Sequence, residues 1–282
     1  MNNPINRLTK SIIRETGKLK LRTSLGRKIF EQILHVALNE TRSTRHNGID
    51  LVFSVPNRIN LFRFETFSTK EPETLEWIDS IPKGSVLYDI GANVGLYSCY
   101  AAKARGCQVF AFEPSVFNLE QLARNIFLND VTSQVVIVPL PLSESLKVNT
   151  LKMESTDWGA AKSTFGEDYG YDGKPLNKIF EFKTIGLSLM DVVKHLKIPE
   201  PDYIKMDVDG IEHLILKGGS AVLKNIKGAL IEIDERFEKQ SIDSTRCLHE
   251  AGLTLKEKRQ SNMFKNTEYE NCFNQIWHRS FE

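Results

Sequence analysis

The 282-residue sequence has few cysteines, no long hydrophobic run and almost no net charge. Its four cysteines form no C-x-x-C pair and no cluster with histidine, so we expect neither a zinc site nor a disulfide framework. No apolar run reaches the roughly 18 residues of a transmembrane helix, and no signal peptide is evident at the N-terminus. A formal net charge of +1 creates no global field for nucleic acid. We therefore expect a cytoplasmic globular protein with no nucleic-acid partner and no transmembrane segment.

Residues 85–95, S-V-L-Y-D-I-G-A-N-V-G, are typical of a buried strand that leads through a glycine turn into a helix. Gly91 allows close approach of the backbone to a ligand. The absence of lysine from this loop disfavours a P-loop for nucleoside triphosphates. Asn93 occupies the middle glycine position of the dinucleotide fingerprint, which disfavours a pyrophosphate. Asp89 would repel phosphate, so the loop favours a cationic cofactor such as S-adenosylmethionine.

A second acidic residue stands at the end of the next predicted strand, Gln108–Phe112. Glu113 follows the loop by about twenty residues, where an acidic side chain in a doubly wound sheet accepts the ribose hydroxyls of a nucleoside. This feature alone fits S-adenosylmethionine and NAD equally well.

A further predicted strand, at residues 201–207, has its candidate catalytic residues at its carboxyl end, where open α/β sheets bind ligands. If the cofactor is S-adenosylmethionine, the reaction is methyl transfer, which needs an aligned acceptor and, for a hydroxyl acceptor, a group that takes its proton. We predict that Asp207 or Glu212 accepts or orients this proton and that Lys205 positions the reacting groups. Strand alternation places Lys205 and Asp207 on one face, so a simple ion pair is the alternative.

The predicted strand at residues 229–234 also ends in carboxylates, Glu232 and Asp234. We predict that both contact the substrate. Together with Asp207 they have the composition of a magnesium site, but we favour a metal-free polar pocket.

Three motifs resemble those of the FkbM-type methyltransferase family, over roughly residues 67–233. They are D-I-G-A-N-V-G-L-Y-S at 89–98, F-E-P-S-x-x-N-L-x-x-L-x-x-N at 112–125 and D-Y-I-K-M-D-V-D-G-I-E at 202–212. In the third motif, Asp209 stands where the family more often has glutamate. The resemblance implies a class I S-adenosylmethionine-dependent methyltransferase, usually an O-methyltransferase acting on sugars, polysaccharides or secondary metabolites. It also implies an α/β, Rossmann-like fold with a seven-stranded, mostly parallel sheet and helices on both faces.

The resemblance also implies that residues other than Asp89 and Glu113 contact the cofactor. It implies that Leu142 and Ser143 contact adenine and that Ser115, in the second motif, belongs to the cofactor site. Glu71 precedes a predicted helix before the first core strand. If that helix crosses the loop, Glu71 reaches the amino group of the cofactor; the alternative is an exposed acid at a helix start.

We divide the chain into a basic helical N-terminal extension at residues 1–48 and a methyltransferase domain at residues 49–282. The domain comprises a lead-in hairpin and helix at 49–83 and a Rossmann-like core at 84–282. For the extension we favour a cap packed on the catalytic domain, and the alternative is peripheral contact with a membrane or a lipid-linked substrate. Alternation over residues 49–67 predicts two strands around Pro56 and Asn57.

Residues 153–179 form a long insertion rich in glycine and aromatic residues, which we interpret as a lid over the acceptor pocket. Its aromatic side chains have flat faces that stack on sugar rings or apolar substrates, so we predict that they bind the acceptor. They are Trp158, Tyr169 and Tyr171.

Two other functions fit parts of the sequence. One is an NAD-linked oxidoreductase, which the missing middle glycine disfavours. The other is a non-catalytic scaffold that keeps the fold. The acceptor we expect is a small molecule or a glycan, with oxygen as the methylated atom, because the Asn-Pro-Pro-Tyr type of loop associated with many N-methyltransferases is absent.

Overall fold

The computed structural model describes residues 15, 17 and 21–279. Its strands, in chain order, are β1 (Thr41–His46), β2 (Ile49–Ser54), β3 (Val86–Ile90), β4 (Gln108–Phe112), β5 (Val135–Val138), β6 (Lys147–Met153), β7 (Ser163–Phe165), β8 (Phe180–Gly186), β9 (Tyr203–Met206), β10 (Gly228–Asp234), β11 (Leu253–Arg259) and β12 (Cys272–Arg279). Its α-helices are α1 (Ser24–Leu38), α2 (Arg58–Glu65), α3 (Pro72–Ser80), α4 (Leu96–Arg105), α5 (Val116–Leu128), α6 (Leu189–Leu196), α7 (Glu212–Lys217), α8 (Ser220–Leu223) and α9 (Glu238–Glu250).

The central sheet has seven strands in the order β11-β12-β10-β9-β3-β4-β5. The pairs from β10 to β5 are parallel, and β12 runs antiparallel to both of its neighbours. The predicted Rossmann-like sheet is therefore confirmed. An antiparallel pair at the C-terminus closes one edge, with β12 placed between β10 and β11.

Strand β3 shows how the sheet separates the two hydrophobic cores. Tyr88 and Ile90 belong to one buried cluster, whereas Leu87 belongs to the other. Alternate side chains of a strand point to opposite faces, so Asp89 shares the face of Leu87. That face is covered by helices α3 and α4, whose residues Leu75 and Cys99 are fully buried in the same cluster.

The predicted hairpin over residues 49–67 is wrong, because its second half is helix α2. Asn57 caps this helix by accepting a hydrogen bond from the backbone N–H of Asn60 at 2.9 Å. Strand β2 pairs instead with β1, which lies inside the segment predicted as a helical extension. The turn between them is Asn47–Gly48, with φ of 44° and 82°, the two-residue sequence that favours a tight hairpin.

Helix α1 lies in the N-terminal extension, but none of its residues is buried. The preferred interpretation of the extension as a packed cap is therefore wrong for this helix, because a packed helix buries one face. Five basic residues of the predicted extension lie outside the described residues, namely Arg7, Lys10, Arg14, Lys18 and Lys20. Within residues 21–279, no helix is both long and apolar enough to cross a membrane.

The insertion adds a second, smaller sheet beside the main one. The strands on either side of it are β6 and β8, which pair antiparallel with each other. The short strand β7, inside the insertion, pairs with the other edge of β6. Its position brings residues 159–165 to the carboxyl edge of the central sheet, where they line the main cavity.

Candidate active site

The loop after β3 passes directly over the end of β9. Gly91 has a φ of 81°, and a Cβ atom there would lie 1.8 Å from the carbonyl oxygen of Asp207. Gly95 also has positive φ, and a Cβ on it would lie 2.3 Å from Cδ1 of Leu122. Glycine is therefore required at both positions for conformation and for space.

Glu113 links this loop to the start of helix α5. Its carboxylate accepts hydrogen bonds from the backbone N–H groups of Asn93, at 2.9 Å, and Ser115, at 2.7 Å. Burial raises the pKa of Glu113 to about 7, although the two N–H groups favour the ionised form. The prediction that Glu113 stands beside the glycine loop agrees with this geometry.

A cavity of about 680 Å³ opens at the carboxyl edge of the sheet. A volume of this size suits a drug-sized or cofactor-sized ligand. Six of the predicted site residues line it, namely Gly91, Asn93, Glu113, Leu142, Asp207 and Glu232. The cofactor loop and the proposed catalytic edge thus face a single space.

A smaller cavity of about 50 Å³ adjoins the first and shares Gly91, Asn93 and Asp207 with it. Glu71 lines this small cavity and is 2% exposed, so the alternative of an exposed helix-start acid does not hold. The Tyr97 hydroxyl donates to Oε2 of Glu71 at 3.2 Å, and the Lys70 ammonium pairs with Oε1. Glu71 is therefore held at the cofactor loop by two side chains.

Lys205 is buried between two carboxylates. Its ammonium lies 3.7 Å from Oδ1 of Asp89 and 3.5 Å from Oδ2 of Asp207, above the Tyr97 ring. Burial alone would lower the pKa of Lys205, but the surrounding carboxylates, above all Asp207, raise it. Asp89 also accepts a hydrogen bond from the Ser98 hydroxyl at 2.5 Å. The ion pair between Lys205 and Asp207, which was the alternative to a positioning role for Lys205, is present.

Asp207 and Glu232 stand side by side on adjacent parallel strand ends. Met206 pairs with Ile231 in the sheet, so the residues that follow them are neighbours. Burial and the negative charge of Asp207 raise the pKa of Glu232 well above its usual value. Burial opposes ionisation of Asp207, but Lys205 and Lys70 hold its pKa below the usual value. The two carboxyl groups therefore have pKa values shifted in opposite directions, and Asp207 is the more acidic of the pair.

The predicted catalytic residue Glu212 faces the backbone of its own loop. Its carboxylate accepts hydrogen bonds from the N–H groups of Val208, at 3.0 Å, and Gly210, at 3.1 Å, and from the Gln240 side chain. Glu212 is 1% exposed and is absent from the cavity lining. Glu212 therefore shapes the loop that follows Asp207. Of the two predicted proton acceptors, Asp207 lines the cavity and Glu212 does not.

Asp209, at the position where the family more often has glutamate, holds the insertion in place. It has a φ of 61° and accepts hydrogen bonds from the N–H groups of Lys162 at 2.8 Å and Ser163 at 3.3 Å. Burial, together with the charge of Asp207, raises the pKa of Asp209 to about 6.

The predicted aromatic substrate residues lie outside the cavity lining. Tyr171 stacks behind the cavity residue Tyr269, with ring centroids 4.9 Å apart. Tyr169 contacts the edge of Phe237, and Trp158 contributes its backbone carbonyl to hydrogen bonds with asparagine side chains. These three side chains therefore do not line the cavity as a substrate-contact role requires. Tyr171 instead supports Tyr269, which does line it.

Three further predicted residues have structural surroundings. Asp234 is 2% exposed and pairs with Arg236 away from the cavity lining, so it does not join Glu232 there. Ser115 and Ser143 are buried beside the cavity, and among the described residues neither hydroxyl has a hydrogen-bond partner. The N–H of Ser143 donates to the carbonyl of Leu187, which fixes the chain next to Leu142.

Several cavity residues were not predicted from the sequence. Arg63, on helix α2, lines both cavities and donates from Nε to the carbonyl oxygen of Gly159 at 2.7 Å. Phe264 and Tyr269 line the cavity from the connection between β11 and β12. The sequence did contain a signal for α2, because Asn57 is a good helix-capping residue. The connection that carries Phe264 and Tyr269 has no local pattern that indicates a site.

The acidic residues at the cavity junction are balanced by lysines. Carboxylate oxygens of Glu71, Asp207 and Glu232 lie within 4.8 Å of one another, so Glu71 takes the place that the sequence suggested for Asp234. The ammonium groups of Lys70 and Lys205 contact this group. The cluster needs no metal ion to offset its charge, and we assign none.

Comparison with known proteins gives the following similarities. The family model for the methyltransferase FkbM domain matches residues 89–256. The hexuronic acid methyltransferase AglP of Haloferax volcanii is 25% identical over 208 residues, which cover 74% of this chain and 80% of AglP. The methyltransferase sdnD of Sordaria araneosa is 38% identical over 69 residues, which cover 24% of this chain and 27% of sdnD.

Similar solved structures include a methyltransferase FkbM from Methylobacillus flagellatus, 14% identical with a TM-score of 0.46. That match covers 70% of this chain but less than half, 44%, of the other. TYW2 of M. jannaschii in complex with AdoMet is 12% identical, with a TM-score of 0.43 and coverage of 85% and 87%.

Proposed function

This chain belongs to the FkbM methyltransferase family, and from that premise we propose that it transfers a methyl group from S-adenosylmethionine to a hydroxyl group of a sugar, polysaccharide or secondary metabolite. One observation carries this proposal. A single cavity is lined by the glycine loop, by Glu113 and by Asp207. A nucleoside donor and a hydroxyl acceptor can thus meet in one space.

The residues of the cavity fit the chemical groups of S-adenosylmethionine. Glu113, beside the loop, is suited to accept the ribose hydroxyls, and Leu142 and Pro141 offer apolar surface to adenine. Glu71, in the small cavity, is suited to the amino group. Arg63 lines both cavities, and no carboxylate lies within ion-pair distance of it among the described residues, so it is suited to the cofactor's carboxylate.

Gly91 brings the glycine loop close to Asp207. Any other residue would place a Cβ 1.8 Å from the carbonyl oxygen of Asp207, so only glycine allows this close approach. Two carboxylates line the small cavity beside three basic side chains, so it offers partners for both the amino group and the carboxylate of the cofactor. When bound, S-adenosylmethionine supplies an electrophilic methyl group on a cationic sulfur.

Asp207 is our candidate for the group that accepts the proton of the acceptor hydroxyl. It lines the cavity, and its low pKa keeps it unprotonated at neutral pH. Lys205 pairs with Oδ2 of Asp207, and Glu232, whose pKa is raised, is its neighbour at the strand ends. Asp207 can then accept the proton of a hydroxyl that is positioned in the cavity.

The acceptor side of the cavity combines aromatic and polar groups. Tyr269 and Phe264 offer flat faces suited to a sugar ring, and Glu232 and Lys162 offer hydrogen-bonding groups. The similarity to AglP, a hexuronic acid methyltransferase, supports a sugar acceptor. We propose a glycan or small sugar as the acceptor class.

The insertion at residues 153–179 is proposed as the lid of this site, within a methyltransferase domain that spans residues 49–282. The Asn93 and Asn118 side chains both donate to the carbonyl oxygen of Ala160, at 2.9 Å and 3.1 Å. The insertion therefore contacts the cofactor loop directly, which supports this role.

The proposed function is tested by methyl transfer from labelled S-adenosylmethionine to a panel of glycans with free hydroxyl groups, including hexuronic acids. Product mapping by mass spectrometry and NMR identifies the methylated atom. We expect methyl ethers and formation of S-adenosylhomocysteine. Methyl esters would refute hydroxyl transfer, and binding of the cofactor without transfer to any acceptor would favour the scaffold alternative.

A further inference from the structure

Helix α1 presents a broad apolar face, and none of the helix's own residues is buried. Thr23 caps its N-terminus by accepting a hydrogen bond from the N–H of Gly26 at 3.0 Å, so the helix has a defined start. Along its length of about 22 Å, large apolar side chains remain 44–69% exposed. They are Leu25, Ile29, Phe30, Ile33, Leu34 and Val36.

These side chains share one side of the helix. At about 100° per residue, the arc from Leu25 to Leu34 covers half of the circumference, with Ile33 near its centre. Arg27, Lys28 and Glu31 project from the other half. A helix that belongs to a water-soluble core buries such an arc, whereas α1 has no buried residue.

The sequence that contains this helix is strongly basic. Residues 1–39 contain eight lysine or arginine residues and two glutamates, although the whole chain has a net charge of only +1. Basic residues on the polar side of an exposed amphipathic helix are attracted to anionic headgroups while the apolar side enters the acyl boundary. A second copy of the chain would bring two basic segments together, which opposes pairing through this face.

We propose that α1 lies in the surface of an anionic phospholipid membrane and docks the protein there. This function goes beyond methyl transfer and does not depend on it. The apolar side chains around Ile33 enter the interface, and the basic residues of the extension contact lipid phosphates. The chain thus binds one leaflet without spanning it.

The test is co-sedimentation of the full-length chain with vesicles of phosphatidylcholine alone and with about 30% phosphatidylglycerol. We expect binding to the anionic vesicles, weak binding to the neutral ones, and loss of binding as salt increases. Ile33→Glu should weaken binding to anionic vesicles about tenfold or more, because it places a charge at the centre of the inserted face.

Ile242→Glu is the matched control, since Ile242 is 63% exposed on helix α9 and Ile33 is 61% exposed on α1. It should bind vesicles as the unaltered chain does. Both side chains are exposed, so circular dichroism and thermal melting should be unchanged in both variants. Failure to bind anionic vesicles, or equal binding by Ile33→Glu, would overturn the proposal. The proposal would also be overturned if the chain binds no vesicles and light scattering shows a dimer that Ile33→Glu disrupts.

Discussion

The ammonium of Lys205 lies 3.5 Å from Oδ2 of Asp207 at the carboxyl edge of the central sheet. This contact keeps a carboxylate ionised at the junction of the two cavities, within reach of a ligand that approaches from the larger one. Lys205 is 3% exposed, so it acts on Asp207 from inside the protein and leaves the cavity side open.

Replacement of Asp207 should separate catalysis from cofactor binding. Asp207→Asn keeps the shape of the side chain but removes its basicity, so we expect kcat to fall about 10²- to 10³-fold. The dissociation constant of S-adenosylhomocysteine, measured by calorimetry, should change by less than about threefold, because the acceptor and not the cofactor contacts this carboxylate. Asp243→Asn, on helix α9, is the control and should leave both quantities unchanged. Loss of cofactor binding with intact turnover would contradict this division of roles.

Glu113 should contribute to binding of the nucleoside half of the cofactor. Glu113→Gln removes a charged acceptor of the ribose hydroxyls and should weaken S-adenosylhomocysteine about tenfold or more. It should weaken 5′-methylthioadenosine similarly, because that ligand has the same ribose. Glu120→Gln, an exposed change on helix α5, serves as the control. Unchanged affinity in Glu113→Gln would remove Glu113 from the cofactor site.

Arg63 should act on the other half of the cofactor. Arg63→Gln removes the proposed partner of the cofactor's carboxylate, so S-adenosylhomocysteine should bind about tenfold more weakly. Methylthioadenosine lacks the amino acid group, and its affinity should stay the same. Titration of both ligands against the variant measures this difference. If both ligands weaken equally, Arg63 supports the cavity wall and does not bind that carboxylate.

The glycine loop should tolerate no side chain at residue 91. Gly91→Ala places a Cβ 1.8 Å from the carbonyl oxygen of Asp207 at a φ of 81°. We expect a lower melting temperature and loss of cofactor binding. Gly106→Ala is the matched control, because Gly106 also has positive φ, 61°, but has no atom within 4 Å of the added Cβ. Equal melting temperatures in the two variants would show that the close approach to β9 is unimportant.

The stability of the ligand-free protein should decrease as the pH rises from about 5 to 7.5. Burial raises the pKa of Glu212 and Glu113 to about 7 and that of Asp209 to about 6. The folded state holds these protons more tightly than the unfolded state does. The free energy of unfolding therefore decreases as the pH rises toward the pKa values of the folded state. Differential scanning calorimetry should show a fall of about 5 °C across this range, and Glu212→Gln should reduce the fall. A melting temperature that rises with pH would contradict the raised pKa values.

The three motifs predicted the sheet and the cofactor loop because each motif is local and stands at the end of a parallel strand. Asp89, Glu113 and Asp207 therefore meet at one edge whatever the loops between them do. Their positions follow from sequence spacing and sheet order alone.

The errors and omissions arose where the pattern was short or the contact was distant. Residues 58–65 alternate like a strand, but the Asn57 cap and packing against Gly159 select a helix. The cavity wall at Phe264 and Tyr269 lies about 200 residues from Arg63 in sequence, so no local pattern links them. The aromatic residues of the insertion were recognised, but Tyr171 turned out to stack behind Tyr269.

Calorimetric titration of the full chain with S-adenosylhomocysteine and with NAD tests the central claim most directly. If the glycine loop, Glu71 and Glu113 select a nucleoside that carries an amino acid group, S-adenosylhomocysteine should bind with micromolar affinity and NAD should show no measurable heat. Binding of NAD with equal or greater affinity would contradict the account.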